Sequence, residues 1–405
     1  MKIDILQKVE GEVYLRYHFK DGAIEHTDIE FIHYRGIEEI LRGKPLFDAL
    51  AITPRVCGIC GHAHLIATAR AIESVVEFEI SQKAKAIRSI TLYCERIQNH
   101  LKWLYLVIVP MLSQMGFTSI APFEALRASA TIQKVIALFG GQYPHTSYAL
   151  PGGVVCDPTR LELLQAKAFV EEVYSFYTDT ILEPVESFKE FAKSQKLLKA
   201  IYDFLKEHNL LRIAQGGDRF LHLEANKKFI ATKSRSASSR YVELQPSPLG
   251  FAKNALYKGR FFEVGPLARL MDRGFIKDLH RRYKDGLFTR IAARVYETGL
   301  LFESIFDHLK RLSLAEPSYR EFPKRISGYG EGIVEAPRGS LIHRVWVEEG
   351  VIERFEIITP TQFNLANGTK EHPSPAQKAI RGLRSRELAQ LVFRSFDICS
   401  VCTTH

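Results

Sequence analysis

Two C-x-x-C pairs, one near each end of a 405-residue chain, constrain this sequence more than anything else in it. The first is Cys57-Gly58-Ile59-Cys60, inside the run Arg55 to His64. The second is Cys399-Ser400-Val401-Cys402, inside Asp397 to His405. A C-x-x-C turn points both sulfurs the same way, which suits a soft metal. Chain ends ordinarily fray, so cysteines at this one imply that it docks in the interior against the first pair. Four thiolates can then meet, and any fold for the chain must bring its two ends together.

The remaining cysteines support this division of labour. Of six in all, Cys94 and Cys156 stand alone, and isolated cysteines are mostly small buried apolar residues. Two are too few for a four-cysteine iron–sulfur cluster, and the pattern is not that of a disulfide-rich secreted chain. Apolar content of 46% and charged content of 25% are ordinary for a globular protein. The most apolar run, Leu104 to Leu112, is short and contains Pro110, so no membrane-spanning helix is expected. Met1-Lys2-Ile3-Asp4 has no apolar stretch behind it, so a signal peptide is not expected and the location implied is cytoplasmic. Any export would be as a passenger on another chain. The net charge of +9 is interrupted by acids even where it is densest, from Arg273 to Arg294. With no accompanying motif, nucleic acid is not expected as a partner.

Along the chain, residues 9–33 read as a hairpin turning at Asp21-Gly22, and Ile37 to Leu41 as a helix after Gly36. Leu65 to Val76 reads as helical. Ile87, Ile90, Cys94, Ile97, Leu101, Leu104 and Ile108 recur at helical spacing, predicting a spine helix from Gln82 to Val109. Asp157-Pro158 reads as the cap of a second long helix reaching Leu182. A helical segment over 186–208 leads into loops and short strands over 212–270. Ile291 to Leu312 carries a third long helical stripe, and 341–358 a second hairpin. A last helix from Ser374-Pro375 carries the chain into Cys399. There is no internal repeat and no linker. The expected fold class is α+β: one domain over 1–405, a mainly helical core of long helices with peripheral β-hairpins, and termini meeting at a buried metal site.

Arg55-x-Cys57-Gly58-x-Cys60-x-x-x-His64 and Asp397-x-Cys399-x-x-Cys402-x-x-His405 resemble the two signatures of nickel–iron hydrogenase large subunits. Val9-Glu10-Gly11 and Arg35-Gly36-Ile37-Glu38 resemble two further motifs of that family. So do Glu263 to Arg269, Glu335-Ala336-Pro337-Arg338-Gly339 and Pro360-Thr361, all in the expected order. The chain departs from the pattern at Glu12, where the family has histidine, at Ile398, where it commonly has proline, and in carrying His62. It is also short for the family.

The resemblance implies a function: reversible heterolytic cleavage of H2, with electrons passed to an iron–sulfur small subunit. It implies that Cys57, Cys60, Cys399 and Cys402 bind nickel. Cys60 and Cys402 would also bridge to an iron bearing carbon monoxide and two cyanide ligands. Arg338 and Thr361, with Pro360, would line the pocket for those diatomic groups, and Asp397 would orient Arg338. Glu10 would be the first proton acceptor after Cys399, so Glu10, Arg338 and Cys399 are the catalytic set. Glu38, His405 and a backbone carbonyl near Ile357 would hold magnesium. His64 would hydrogen-bond a cysteine sulfur. Partners implied are the small subunit, further electron-transfer subunits and maturation proteins.

Each residue also has a plainer reading. Two C-x-x-C pairs alone describe a structural zinc site equally well, which would make the chain a zinc-stapled interaction subunit. Glu10 reads as a strand-face carboxylate, Arg338 as a salt-bridged loop arginine, and His62 as a surface or core histidine. Asn99-His100 falls near a family polar pair. A hydrogen sensor using the same site is the other functional alternative.

Overall fold

The computed structural model of the chain describes residues 2–6, 12–118 and 122–399. The first antiparallel sheet joins β1 (Lys2–Leu6), β2 (Val13–Lys20) and β3 (Ala23–Glu30) in that order. Val13, Leu15 and Tyr17 alternate into the core. Asp21 and Gly22 both sit at positive φ, as a two-residue hairpin turn that matches strand twist requires. A short helix, α1 (Ile37–Leu41), follows Gly36.

The helical part is built on long elements. α2 spans Gly61–Ser74 and so starts before the apolar pattern does. Small residues open it because the chain is crowded there: a Cβ on Gly61 would lie 2.5 Å from the Pro54 carbonyl oxygen. α3 (Gln82–Trp103) is capped by Ser81, whose hydroxyl accepts from the Ala84 amide. It runs on through a wide turn, Leu104–Ile108, into Val109–Ser113. Pro110, with no N–H to give to the turn before it, accounts for the widened winding.

α4 (Pro122–Gly140) was not anticipated. Its buried face is partly alanine and serine (Ala125, Ala128, Ser129), which give little hydrophobic contrast. α5 (Arg160–Phe176) is capped not by Asp157 but by Thr159, which forms a reciprocal box with Glu162. Asp157 instead meets the buried Lys83 ammonium. The segment expected over 186–208 divides into Phe188–Phe191 and Leu197–Glu207. Short strands fill much of 219–257, followed by α6 (Leu287–Arg311).

A second three-stranded sheet joins β4 (Gly328–Ala336), β5 (Gly339–Glu348) and β6 (Val351–Ile358). The expected hairpin is β5–β6, and β4 is an addition. Glycines obscured it, and they are there because α2 presses on the strand: Cβ atoms on Gly330 and Gly332 would lie 2.1 Å from the Ala71 and Ala67 carbonyl oxygens. After α7 (Pro360–Asn364), the single last helix predicted is two, α8 (Pro375–Ile380) and α9 (Arg386–Ser395), broken at Gly382 with φ 86°.

α3 packs on α4 and α6, and α2 lies on β4 and β5. The ends of the chain do meet. Arg386 and Gln390 of α9 donate to the two Asp4 oxygens of β1 at 2.8 and 2.9 Å. The fold is α+β with a helical core, as expected. No helix among the described residues is long and apolar enough to cross a membrane.

Candidate metal centre

The cysteines from opposite ends of the chain come together. Cys60 sits at the N-cap of α2, and the Ile59 and Cys60 amides both donate to Cys57 Sγ, at 3.4 and 3.2 Å. Cys399 brings its Sγ to 3.5 Å from that of Cys57. The three form a buried cluster with Ile59 packed against it. Cys402, Glu10 and His405 lie outside the described residues. Among the described residues alone no three His, Cys, Asp or Glu side chains form a set able to hold a metal. A tetrahedral thiolate site needs four donors, and the fourth in the sequence is Cys402. Soft sulfur donors converging in a buried pocket fit a soft transition metal.

The turn carrying Cys57 and Cys60 is tied down on several sides. Arg35 donates to the Arg55 and Val56 carbonyls at 2.6 and 2.7 Å. Asn99 and Tyr143 donate to the Ile59 carbonyl at 3.1 and 3.3 Å. α2 has no side-chain cap of its own. Glu95 of α3 serves instead, its two oxygens accepting from the His62 and Ala63 amides at 2.8 and 3.0 Å. Burial pushes the Glu95 carboxyl up to about 8, against the pull of those amides.

Arg338, on the turn between β4 and β5, places Nη1 3.6 Å from Cys60 Sγ and Nε 3.4 Å from Asp397 Oδ1. Burial works against its charge, but Asp397 and the three cysteines more than offset this and raise its pKa well above the usual value. Asp397 in turn accepts from Arg294 at 2.9 Å, so the pairing of Asp397 with Arg338 is present. Behind it lies an array of buried charge. Glu297 accepts from Arg269 at 2.6 and 2.7 Å, pairs with Arg96 at 2.7 Å and bonds His100 at 2.8 Å. Burial alone would raise the Glu297 carboxyl, but Arg269 and Arg96 hold it well below the usual range. Buried charges persist only when paired like this.

His64 is buried, with Nδ1 3.0 Å from His343 Nε2. Pro360 and Thr361 are buried at the start of α7. His62 is a core histidine, stacked on Tyr148 with 5.0 Å between centroids and bonded to its hydroxyl at 2.9 Å. Burial pushes it down to about 3. Asn99 serves the cysteine turn, and His100 the charged array. Glu95, Arg294, Glu297 and His343 were not singled out from sequence. The available signal was Arg294 and Glu297, charges about one turn apart in the stretch Ile291–Phe302, which has no other charged residue.

A cavity of about 540 Å³ opens against this turn, lined by Ile59, Asn99, Trp103, Arg338, Asp397 and Ile398 among others. The chain matches the nickel-dependent hydrogenase family over residues 35–109 and 240–405. It belongs to that family. It is similar to the sulfhydrogenase 1 subunit alpha of Pyrococcus furiosus, 27% identical over the whole of this chain and 97% of that one. It is also similar to the periplasmic [NiFeSe] hydrogenase large subunit of Desulfomicrobium baculatum, 23% identical over 100% and 94% of the two chains. The structure of the Ni-Fe-Se hydrogenase from D. vulgaris Hildenborough superposes with a TM-score of 0.86 at 21% identity, covering both chains completely. That likeness establishes the fold. The relatives are named as alpha or large subunits, and the family is one of oxidoreductases acting on H2.

In this hydrogenase subunit a second donor set lies at Glu38. Its Oε1 accepts from the Ile357 amide at 2.8 Å and its Oε2 from Lys253 Nζ at 2.5 Å. A residue in an extended strand turns its N–H and C=O to the same side, so the Ile357 carbonyl faces this edge of β6 too. Carboxylate and carbonyl oxygens suit a hard divalent ion. The Lys253 ammonium already sits on one carboxylate oxygen, and such an ion must share or displace it.

Proposed function

We propose that this chain is the catalytic subunit of a nickel–iron hydrogenase, cleaving H2 heterolytically and reversibly and passing electrons to an iron–sulfur small subunit. The supporting observation is the convergence of Cys57, Cys60 and Cys399 in a buried pocket under the Arg338 guanidinium. When bound, nickel and iron polarise H2 in a field of soft thiolate donors. Cys57, Cys60, Cys399 and Cys402 would hold the nickel, and Cys60 and Cys402 would also hold the iron, which would carry carbon monoxide and two cyanide ligands.

The chain's own residues do the rest. Arg338 keeps a fixed, charged fork beside Cys60, oriented by Asp397 and through it Arg294. Pro360 and Thr361 would line the pocket for the diatomic ligands. The buried surroundings keep water from the thiolates. Glu10 takes the proton from Cys399, a task for a carboxylate tuned toward neutrality. Glu38, the Ile357 carbonyl and His405 would hold magnesium.

Electrons leave through another chain. Cys94 is buried in the apolar core and Cys156 is far from it in sequence. Burial pushes both thiols up, so neither offers a thiolate to a cluster. An iron–sulfur partner over an interface of more than about 2,000 Å² is the expected conductor. Hydrogen-dependent reduction of a viologen dye tests this. The purified complex should catalyse it and the isolated chain should not; activity in the isolated chain would remove the need for the partner.

A further inference from the structure

Four fully buried side chains below the cysteine turn form one hydrogen-bonded line. His64, one helical turn past Cys60 on α2, sets Nδ1 3.0 Å from His343 Nε2. His343 stands on β5, and its Nδ1 is 2.9 Å from Thr68 Oγ1. Thr68 Oγ1 is 2.7 Å from Thr53 Oγ1. None of the four is more than 1% exposed.

Each link needs one donor and one acceptor, and each hydroxyl has a single proton. The line therefore has two polarities. In one, protons run from Thr53 toward His64 and leave an N–H on His64 Nε2. In the other, His64 Nδ1–H donates to His343, His343 Nδ1–H donates to Thr68, and Nε2 keeps a lone pair. The Thr68 hydroxyl then turns to the His64 carbonyl, 3.0 Å away, and the Thr53 hydroxyl to the Ala49 carbonyl, 2.9 Å away.

We propose that His343 is a positioning residue which, with Thr68 and Thr53, holds His64 in the tautomer carrying its proton on Nε2. The inference rests on the reading that His64 donates to a cysteine sulfur of the metal site. His343 occupies Nδ1, so the donating nitrogen must be Nε2 and Nδ1 must accept. His343 Nε2 then donates, its Nδ1 accepts, and the Thr68 hydroxyl donates to it while accepting from Thr53. Which ring nitrogen carries the proton is set by the bond the other one makes. Groups of this kind behind a metal ligand typically change activity or metal affinity by about 10- to 100-fold when lost.

The test uses the hydrogenase complex with 15N-labelled histidine, the His64 signals being assigned by their loss in His64→Gln. In the wild type, His64 should show a protonated Nε2 and an unprotonated Nδ1. His343→Leu removes the donor, so the Nε2-protonated share of His64 should fall and turnover should drop about 10-fold or more. His343→Gln puts an amide N–H near the old Nε2 and should restore both. Thr68→Val, which keeps shape but loses the hydroxyl, should shift the His64 tautomer in the same sense as His343→Leu. A wild-type His64 protonated on Nδ1, or a tautomer indifferent to both His343→Leu and Thr68→Val, overturns the proposal. Absence of nickel from the wild type would instead overturn the metal-site reading and leave the tautomer result standing.

Discussion

Around Cys57, Cys60 and Cys399 the backbone of the turn is held from several directions and the sulfurs are buried. Glu38, by contrast, accepts from the Ile357 amide and pairs with a lysine whose side chain is 40% exposed. The first set is soft, dry and rigid; the second is hard and partly wet. The contrast follows donor chemistry. Thiolates pair with soft metals in closed sites, whereas an ion such as magnesium keeps several waters and tolerates an open edge. Removing a sulfur should therefore be ruinous and removing an oxygen graded.

The largest effect should come from Cys57→Ser, which exchanges a soft donor for a hard one. We expect nickel to be lost and dye-linked H2 oxidation to fall by at least about 10³, at or beyond the upper end of what one lost electrostatic donor costs. Metal analysis and turnover on one sample read both. Retention of nickel would show that the sulfur set is not the binding set. Arg338→Lys should come next. It keeps the charge but loses the planar fork, so nickel should stay while turnover drops by about 10²–10³, the scale of a lost positioned donor.

Glu38→Gln sharpens the comparison from the other side. Nickel should remain, magnesium should be lost, and activity should fall by about 10- to 100-fold. Lys253→Met should act oppositely on the ion. With the ammonium gone from Glu38, magnesium should bind more tightly, and unchanged affinity would show that lysine and ion do not compete.

The smallest effect concerns pH. Burial holds His62 and His100 down to about 3, His100 with further opposing and assisting charges around it. An unfolded histidine takes its proton near 6.5. The unfolded state therefore binds more protons as pH falls below about 6.5, and stability should drop by up to about 1.4 kcal/mol per pH unit for each of the two groups. Urea midpoints between pH 7 and 5 read this slope. The Glu95 carboxyl, pushed up to about 8, works the opposite way over this range, so the His100 share is read as a difference. His100→Gln should reduce the slope by up to about 1.4 kcal/mol per pH unit; a slope unchanged in that variant would mean that His100 is already charged in the fold.

Much of this was legible in the sequence where a residue type carries one physical meaning. Paired cysteines at both ends forced the termini together, and Asp4 with Arg386 shows them adjacent. Apolar stripes at helical spacing marked α3 and α6. α4 escaped because alanine gives little contrast, and β4 because its glycines make room for α2. Asp157 looked like a cap but pairs with Lys83, leaving the role to Thr159. Within the site the cysteines, Arg338 and Asp397 came from motifs. Glu95, Glu297 and His343 did not, because each works through a partner distant in sequence. No local pattern marks a carboxylate that caps another helix.

Metal content of the purified wild-type protein tests the central claim most directly. Elemental analysis should find about one nickel per chain, together with iron at about one per chain plus whatever the iron–sulfur partner contributes. Zinc alone at one per chain, with neither nickel nor iron, would contradict it and make the converging cysteines a structural staple.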